Sequence, residues 1–160
     1  MRVLPADPGP RLIVACDGAA RGNPGPAGIG VVLSDEAGRT LATLARGIGP
    51  ATNNVAEYRA CLEALRLAAE HGARRVLVRS DSRLLVEQLS GRFRVKNPRL
   101  IRLHEEVRRL AKEFDEVAFE HVPREENADA DRLANQGVDE WLAGEGRDYT
   151  PADPSPPLFD

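Results

Sequence analysis

The sequence predicts an α/β fold in which helices flank one mixed, five-stranded sheet. Three short apolar segments joined by turns open the chain, and helical and strand-like segments alternate after residue 54. Short turns favour antiparallel pairing, whereas strands separated by helices can pair in parallel. The predicted order is βββαβααβα, with a three-strand antiparallel meander and two parallel strands.

The first three strands are predicted from apolar runs. Residues 12–15 are continuously apolar, as in a central strand buried on both faces. Two more strands are predicted at 27–33 and 40–45, because the polar turn 35–38 separates them. We therefore expect an N-terminal meander.

The rest of the chain is predicted from periodicity and helix-terminating residues. Apolar residues recur at helical spacing over 54–71, and Gly72 is a typical C-terminal stop. Similar signals predict further helices over 80–90, after Pro98 and over about 126–142. The last two strands are predicted at 75–79 and 117–122.

Length and composition favour one folded domain. The chain has 160 residues, 42% of them hydrophobic, so it can bury a core without disulfides. We expect the folded domain at 11–143 and a flexible tail at 1–10. A second flexible tail, rich in proline, is expected at 144–160. The sequence shows no run of eighteen apolar residues and no signal-peptide pattern, so we expect a cytoplasmic monomer that does not enter membranes.

Charge argues against a nucleic-acid binder that depends on bulk charge, and the cysteine spacing argues against a cysteine metal site. The net charge of −3 argues against nucleic-acid binding by bulk charge, so local basic segments such as 92–112 would have to supply it. Cys16 and Cys61 have no metal-binding spacing, and both are expected to be buried, reduced thiols.

Four acidic residues are candidates for a functional site, and each has a structural alternative. Asp17 could be a turn residue, Glu57 the capping-box partner of Asn54, and Asp81 a helix N-cap. Asp131 is expected inside the last helix, where Asp is unfavourable, so a functional role is the simpler interpretation.

The predicted topology brings these acids together. Asp17 and Asp81 are expected at strand ends and Glu57 in a first helical turn, which is where open α/β sheets place their sites. Converging carboxylates repel one another unless hard cations such as Mg²⁺ or Mn²⁺ neutralise them. A pair of such ions is suited to phosphodiester hydrolysis.

Four sequence blocks carry a family resemblance. They are DGAARGNPGPAG at 17–28, TNNVAE at 52–57, SDS at 80–82 and NADADRLA at 127–134. In this order they resemble the signature of the type 1 ribonuclease H family, over about residues 12–142. The resemblance implies a ribonuclease H-like fold and an endonuclease that cuts the RNA strand of RNA/DNA hybrids, leaving 5′-phosphate and 3′-hydroxyl ends.

The resemblance also implies roles for the acids. Asp17 would bridge two Mg²⁺ or Mn²⁺ ions, Glu57 and Asp81 would complete the site, and Asp131 would hold the ion nearest the attacking water. Asn23, Asn53 and Asn54, together with Gly18, would contact the hybrid's minor groove, where 2′-hydroxyls mark the RNA strand.

A DNA-strand phosphate would be held by Thr52 and Asn97, by the same resemblance. The basic residue that some relatives carry before this block is here Pro50 or Ala51. Arg83 or Lys96 could compensate for it. The turn-and-cap interpretation of the asparagines stays open at this point.

Two features of the chain depart from many relatives. The segment between Gly91 and Asn97 is too short for a basic protruding helix, so we expect modest, salt-sensitive binding. Many relatives carry a flexible histidine in the loop before the last helix, where it helps protonation and product release. This loop contains no histidine here, and Arg124 is our candidate for that role, because His121 is expected within a strand. These departures resemble archaeal and actinobacterial members.

Several alternatives remain open. Some members of that subgroup also cut double-stranded RNA or RNA-DNA junctions. The chain could instead be a catalytically silent hybrid-binding module, or another nuclease or integrase with the same fold. Leu158 and Phe159 could contact a replication sliding clamp, although no glutamine precedes them at the expected spacing.

Overall fold

The computed structural model describes residues 9–150 as one mixed sheet with helices on both faces. The strands are β1 (Arg11–Ala20), β2 (Gly25–Ser34), β3 (Thr40–Ala51), β4 (Arg75–Ser80) and β5 (Glu116–His121). The helices are α1 (Asn53–Glu70), α2 (Arg83–Leu89), α3 (Pro98–Ala111) and α4 (Ala128–Ala143), and a single 3₁₀ turn spans Arg124–Glu126.

The predicted topology is confirmed. The sheet order is β3-β2-β1-β4-β5, with antiparallel pairing in the meander and parallel pairing of β1, β4 and β5. The parallel ladder between β1 and β4 ends at the pair Ala15 and Arg79, whereas β1 continues beside β2 to Ala20. β1 therefore extends past the end of its pairing with β4, and this leaves room at that edge of the sheet for polar side chains.

Strand lengths differ from the predicted ones for a physical reason. β1 was predicted to end at residue 15 and β3 at residue 45, but they continue to Ala20 and Ala51. These extensions contain Gly, Ala and polar residues, and they are held by cross-strand pairing with β2 rather than by an apolar pattern. Asp17 consequently lies within a strand, not at its end.

The helices cover the sheet from two sides. Residues of α1, α2 and α3 share one hydrophobic core with alternate residues of β1, β2 and β4, including the buried Ile29 and Val31. The intervening residues of β2 face α4, as the close approach of Gly28 to Ala134 shows. Alternation along β2 thus sends its two faces to two different cores.

Close backbone contact positions α4. A Cβ on Gly30 would lie 2.1 Å from the carbonyl oxygen of Ala130, and a Cβ on Gly28 would lie 2.3 Å from that of Ala134. Only glycine allows such an approach. Gly18 plays the same part beneath α1, where a Cβ would lie 2.3 Å from the carbonyl carbon of Ala56.

The described end of the chain packs onto α4. Gly146 donates its N–H to the carbonyl oxygen of Trp141 at 2.7 Å, and the Tyr149 ring meets the Trp141 ring edge-on. These residues belong to the predicted C-terminal tail, so its first residues contact the domain. The rest of both predicted tails, with Leu158 and Phe159, lies outside the described residues.

Two further predictions can be compared with the structure. Cys16 and Cys61 are both buried and unbridged, as expected. Across residues 9–150, no helix combines the length and the apolar character that crossing a membrane requires.

Candidate active site

Three carboxylates converge where β1, β4 and α1 meet. Asp17, Glu57 and Asp81 each offer an oxygen atom, and these atoms all lie within 4.8 Å of one another. Asp17 comes from β1, Glu57 from the second turn of α1, and Asp81 from the residue directly after β4. The topology thus gathers residues that are up to 64 positions apart in the sequence.

Burial makes this cluster costly while the carboxylates are charged. Asp17 is only 4% exposed, and desolvation, reinforced by the charges of Asp81 and Asp131, raises its pKa to about 7. Desolvation also raises the pKa of Glu57 well above its usual range, and the neighbouring Asp17 charge adds to the effect. The pair can share one proton when no cation is present.

The site fits a divalent cation. Oε2 of Glu57 is buried and has no hydrogen-bond partner among the described residues. Such an orphaned acceptor is costly, and a hard cation is the group that best satisfies carboxylate oxygens. The donor set, all oxygen and all acidic, matches Mg²⁺ or Mn²⁺ rather than zinc.

Asp131 lies at the open border of this cluster. It is exposed, and its carboxyl group is within hydrogen-bonding reach of Asp17, whose pKa it raises. The start of α4 is held there by Asn127, whose Nδ2 donates to the carbonyl oxygen of Cys16 at 3.0 Å. All four predicted acids are therefore brought together.

Two of the structural alternatives for these acids are wrong. Thr52, not Asn54, is the N-cap of α1, so Glu57 lies beyond the capping-box position. Ser82, not Asp81, is the N-cap of α2 and accepts from the Leu85 N–H. Neither acid has a capping role, which leaves the cluster as the reason for its position.

Asp131 lies in a different part of the last helix from the one predicted. The helix was predicted from about residue 126, which would put Asp131 in its interior. α4 begins at Ala128, so Asp131 lies in the first turn, where the helix dipole favours an acid. Its proximity to Asp17, rather than helix propensity, supports a functional role.

The acids line an open cleft of about 340 Å³. Its other lining residues are Gly18, Ala19, Ala20, Asn53, Asn54, Ser82 and Arg124. Burial raises the pKa of Asp81, and the positive charge of Arg124 opposes that rise more strongly than His121 does. His121 ends β5, is exposed, and does not line the cleft.

Comparison with known proteins identifies the family. A family described as "Reverse transcriptase-like" matches residues 15–137. A ribonuclease HI from Halobacterium salinarum is 43% identical over 138 residues, which cover 86% of this chain and 69% of that protein. The chain belongs to the type 1 ribonuclease H family. A bifunctional protein of Mycobacterium tuberculosis is 44% identical over 89% of this chain, which spans only 39% of that protein's length.

Solved structures of ribonuclease H proteins share this fold. The N-terminal ribonuclease H domain of a Mycobacterium tuberculosis protein aligns with a TM-score of 0.78 at 45% identity, covering 80% of this chain and 98% of that one. LC11-RNase H1, solved in complex with an RNA/DNA hybrid, aligns with a TM-score of 0.79 at 44% identity, covering 82% and 99%.

Two of the asparagines expected to contact a hybrid, Asn23 and Asn53, are linked to each other. Oδ1 of Asn23 accepts the Asn53 N–H at 3.0 Å, and Oδ1 of Asn53 accepts the Ala20 N–H at 3.1 Å. Asn53 and Asn54 line the cleft. These bonds fix the amide planes at the cleft's rim.

The residues expected to hold a phosphate cap two helices in this ribonuclease H chain. The Thr52 hydroxyl accepts the Val55 N–H at 3.2 Å, and Oδ1 of Asn97 accepts the N–H groups of Arg99 and Leu100. Capping uses acceptor oxygens only, so the hydroxyl proton and the amide Nδ2 keep their capacity to donate. Thr52 is 1% exposed, however, which limits access to its hydroxyl.

The basic residues between Gly91 and Asn97 differ in whether they are paired within the protein. Arg92 forms two hydrogen bonds with Glu87 and is thereby engaged within the protein. Arg94 and Lys96 are exposed and have no ion-pair partner among the described residues. Arg83 begins α2, is exposed, and does not line the acidic cleft.

Sequence reasoning missed a buried hydrogen-bond network under this segment. The side-chain oxygen of Gln88 accepts from the Tyr58 hydroxyl, and its Nε2 donates to the carbonyl oxygen of Arg94 at 3.4 Å. The main-chain carbonyl oxygen of Gln88 lies 3.0 Å from Nε2 of His104. Its three partners lie on α1, on the loop and on α3. Only a buried polar residue at an apolar helix position, Gln88, could have signalled it.

Proposed function

We propose that this chain is an endonuclease that hydrolyses the RNA strand of RNA/DNA hybrids. The observation that carries the proposal is the convergence of Asp17, Glu57 and Asp81 around a buried, unpartnered Oε2 atom. A relative named ribonuclease HI and a similar protein solved with an RNA/DNA hybrid support the choice of substrate.

The four acids would hold two Mg²⁺ or Mn²⁺ ions. When bound, the ions supply an activated water and stabilise the leaving oxygen, which gives 5′-phosphate and 3′-hydroxyl ends. Asp17 lies between Glu57 and Asp131, so its carboxylate is the one suited to serve both ions. Asp131 is exposed at the border, where water enters.

Arg124 would assist as a fixed positive charge. It lines the cleft beside Asp81, and its guanidinium offers N–H donors and no acceptor. We propose that it stabilises charge on the scissile phosphate and promotes release of the product.

Strand selection would come from the rim of the cleft. The Oδ1 atoms of Asn23 and Asn53 are occupied by backbone N–H groups, so their Nδ2 groups are the donors that remain for 2′-hydroxyls and base edges. Asn54 and the backbone at Gly18 line the same cleft. Thr52 and Asn97 would position a DNA-strand phosphate, with Lys96, which directly precedes Asn97, or Arg83 as a further cation.

We extend the proposal to the oligomeric state and the location of the protein. We infer that it acts as a monomer in the cytoplasm, where reduced thiols such as Cys16 and Cys61 persist. Cutting of double-stranded RNA or RNA-DNA junctions would be a side activity of the same site.

The decisive experiment is cleavage of an end-labelled RNA/DNA hybrid. The native chain should cut the RNA strand when Mg²⁺ or Mn²⁺ is added and stop when the metal is chelated. Asp17→Asn should lower the rate by roughly 10³-fold or more, as expected when one member of a catalytic set is removed. Binding of the hybrid without metal-dependent cleavage would show a catalytically silent binding module instead. Cutting of duplex DNA would indicate a different nuclease on this fold.

A further inference from the structure

A second concave surface lies between α1 and α3, apart from the carboxylates. It is a groove of about 380 Å³, and its lining residues are Val55, Arg59, Pro98, Arg99, Arg102 and Leu103. Three are arginines and three are apolar; within the described part of the chain, neither an acid nor a neutral polar side chain lines it. We call this surface the arginine groove.

The three arginines are not neutralised. Arg59, Arg99 and Arg102 are exposed, and within residues 9–150 none of them forms an ion pair. Glu63, one turn beyond Arg59, is bound by Arg66 and Arg46 instead. A chain with a net charge of −3 therefore presents three unpaired positive charges around one groove.

The other lining residues of the arginine groove are apolar. Val55, Pro98 and Leu103 offer no side-chain hydrogen-bonding group to a ligand. Arginine bonds phosphate oxygens in a fixed fork, and an apolar lining suits a sugar without a 2′-hydroxyl. Arginines beside apolar residues therefore match a deoxyribose-phosphate backbone better than a ribose one.

The position of the groove agrees with this chemistry. Val55 donates its N–H to Thr52, and Pro98 directly follows Asn97, so the groove begins at the two residues proposed to hold a DNA-strand phosphate. A strand leaving that phosphate has the groove as its next contact between the two helices.

We propose that the arginine groove binds successive phosphates of the DNA strand of the hybrid. This inference rests on the proposed function, and it supplies the affinity for which the short 91–97 segment has too few free charges. The groove acts in binding only, since none of its residues lines the acids' cleft.

The test measures the salt dependence of hybrid binding. In a cleavage-deficient Asp17→Asn background, Arg59→Gln, Arg99→Gln and Arg102→Gln are combined, and dissociation constants are measured by fluorescence anisotropy from low to moderate salt. We expect the slope of log K against log salt to fall in magnitude by about 2 to 3, because each of the three lost contacts contributes about 0.7 to 0.9. Affinity at low salt should fall at least tenfold.

A matched control removes the same charge elsewhere. Arg39→Gln, Arg109→Gln and Lys112→Gln change exposed residues at the β2-β3 turn and at the far end of α3, about 15 Å along the helix from Arg99. The control should keep the native slope. An equal loss of slope in both triple variants would overturn the proposal, because only net charge would then matter.

Strand assignment is tested with neutral methylphosphonate linkages. When they replace the DNA-strand phosphates, the groove variant and its parent should bind equally; when they replace RNA-strand phosphates, the difference should persist. The reverse pattern would overturn the assignment to DNA.

Cleavage by the Asp17-containing protein separates the two proposals. With the groove variant, KM should rise while kcat stays within about twofold of the native value, as for uniform binding contacts. If the native protein binds hybrid through the groove but never cleaves it, the proposed function fails and the groove stands. If it cleaves and the slope is unchanged, the groove fails alone.

Discussion

The side-chain amide of Asn127 donates to the carbonyl oxygen of Cys16, and the two residues are 111 positions apart. Asn127 is 2% exposed and directly precedes α4, while Cys16 directly precedes Asp17. This one bond joins the strand that carries Asp17 to the helix that carries Asp131. It fixes the distance between two acids that come from opposite ends of the domain.

Replacing Asn127 with Ala should weaken cation binding without unfolding the protein. Loss of the bond frees the start of α4 and leaves the Cys16 carbonyl without this donor, so Mg²⁺ affinity should fall about 10- to 100-fold, as for other groups that orient ligands. Titration calorimetry measures the affinity. Gln136→Ala, an exposed change on α4, should keep the native value, and equal affinities in the two variants would contradict this role for Asn127.

Asp17→Asn should stabilise the metal-free protein at pH 8 and much less at pH 5. Burial raises the pKa of Asp17 from 3.8 to about 7, so the folded state holds a proton that the unfolded state releases between these values. Stability therefore falls as pH rises through this window, and the amide removes that loss.

Thermal melts with a chelator check this prediction. The difference in Tm between variant and native protein should grow from pH 5 to pH 8. With Mg²⁺ at 100 times its Kd, the native protein should gain about 2.7 kcal/mol at pH 8, and the variant clearly less. A Tm difference that is the same at both pH values would show that Asp17 is not the titrating group.

Gly30→Ala should push α4 away from the sheet. The new Cβ would lie 2.1 Å from the Ala130 carbonyl oxygen, which is backbone and cannot move aside alone. We expect a loss of about 1 to 3 kcal/mol in the free energy of unfolding, measured with urea. Metal-dependent activity should fall with it, since Asp131 lies in the first turn of the same helix.

A glycine outside the interface provides the control for Gly30. Gly38 lies in an exposed turn with φ +87°, and a Cβ there would meet nothing within 4 Å. Gly38→Asn should change stability by less than about 1 kcal/mol, because Asn tolerates this conformation. A native-like Gly30→Ala protein would mean that α4 can shift without consequence.

Arg124→Ala should lower kcat by about 100- to 1000-fold, the range expected when one charge-stabilising donor is lost. Arg124 lines the cleft, whereas His121 does not, so His121→Ala should stay within about threefold of native. Arg124→Lys, which keeps the charge, should recover part of the rate. Full turnover in Arg124→Ala, with loss in His121→Ala, would assign the role to His121 instead.

Much of this architecture could be predicted from local patterns. The sheet topology followed from apolar runs and from the short or helical links between them, because these directly limit how strands can pair. The four acids were found because their sequence blocks are distinctive. Their convergence then followed from the topology.

Other features depend on contacts that no local pattern encodes. Asn127 could be seen as a cap but not as the partner of Cys16, since that bond joins distant segments. The N-cap of α1 is Thr52 rather than Asn54 because pairing carries β3 as far as Ala51. The arginine groove combines residues of two helices whose relative rotation only packing determines.

The bond from Gln88 to the loop ends on the main-chain carbonyl of residue 94, not on its side chain. Every amino acid supplies that carbonyl, so the path of the loop does not depend on which residue occupies the position. The exposed positions 94 and 96 can therefore be given more or less charge, while Tyr58 and His104 keep Gln88 in place. Substrate affinity can thus be engineered in this loop separately from its shape.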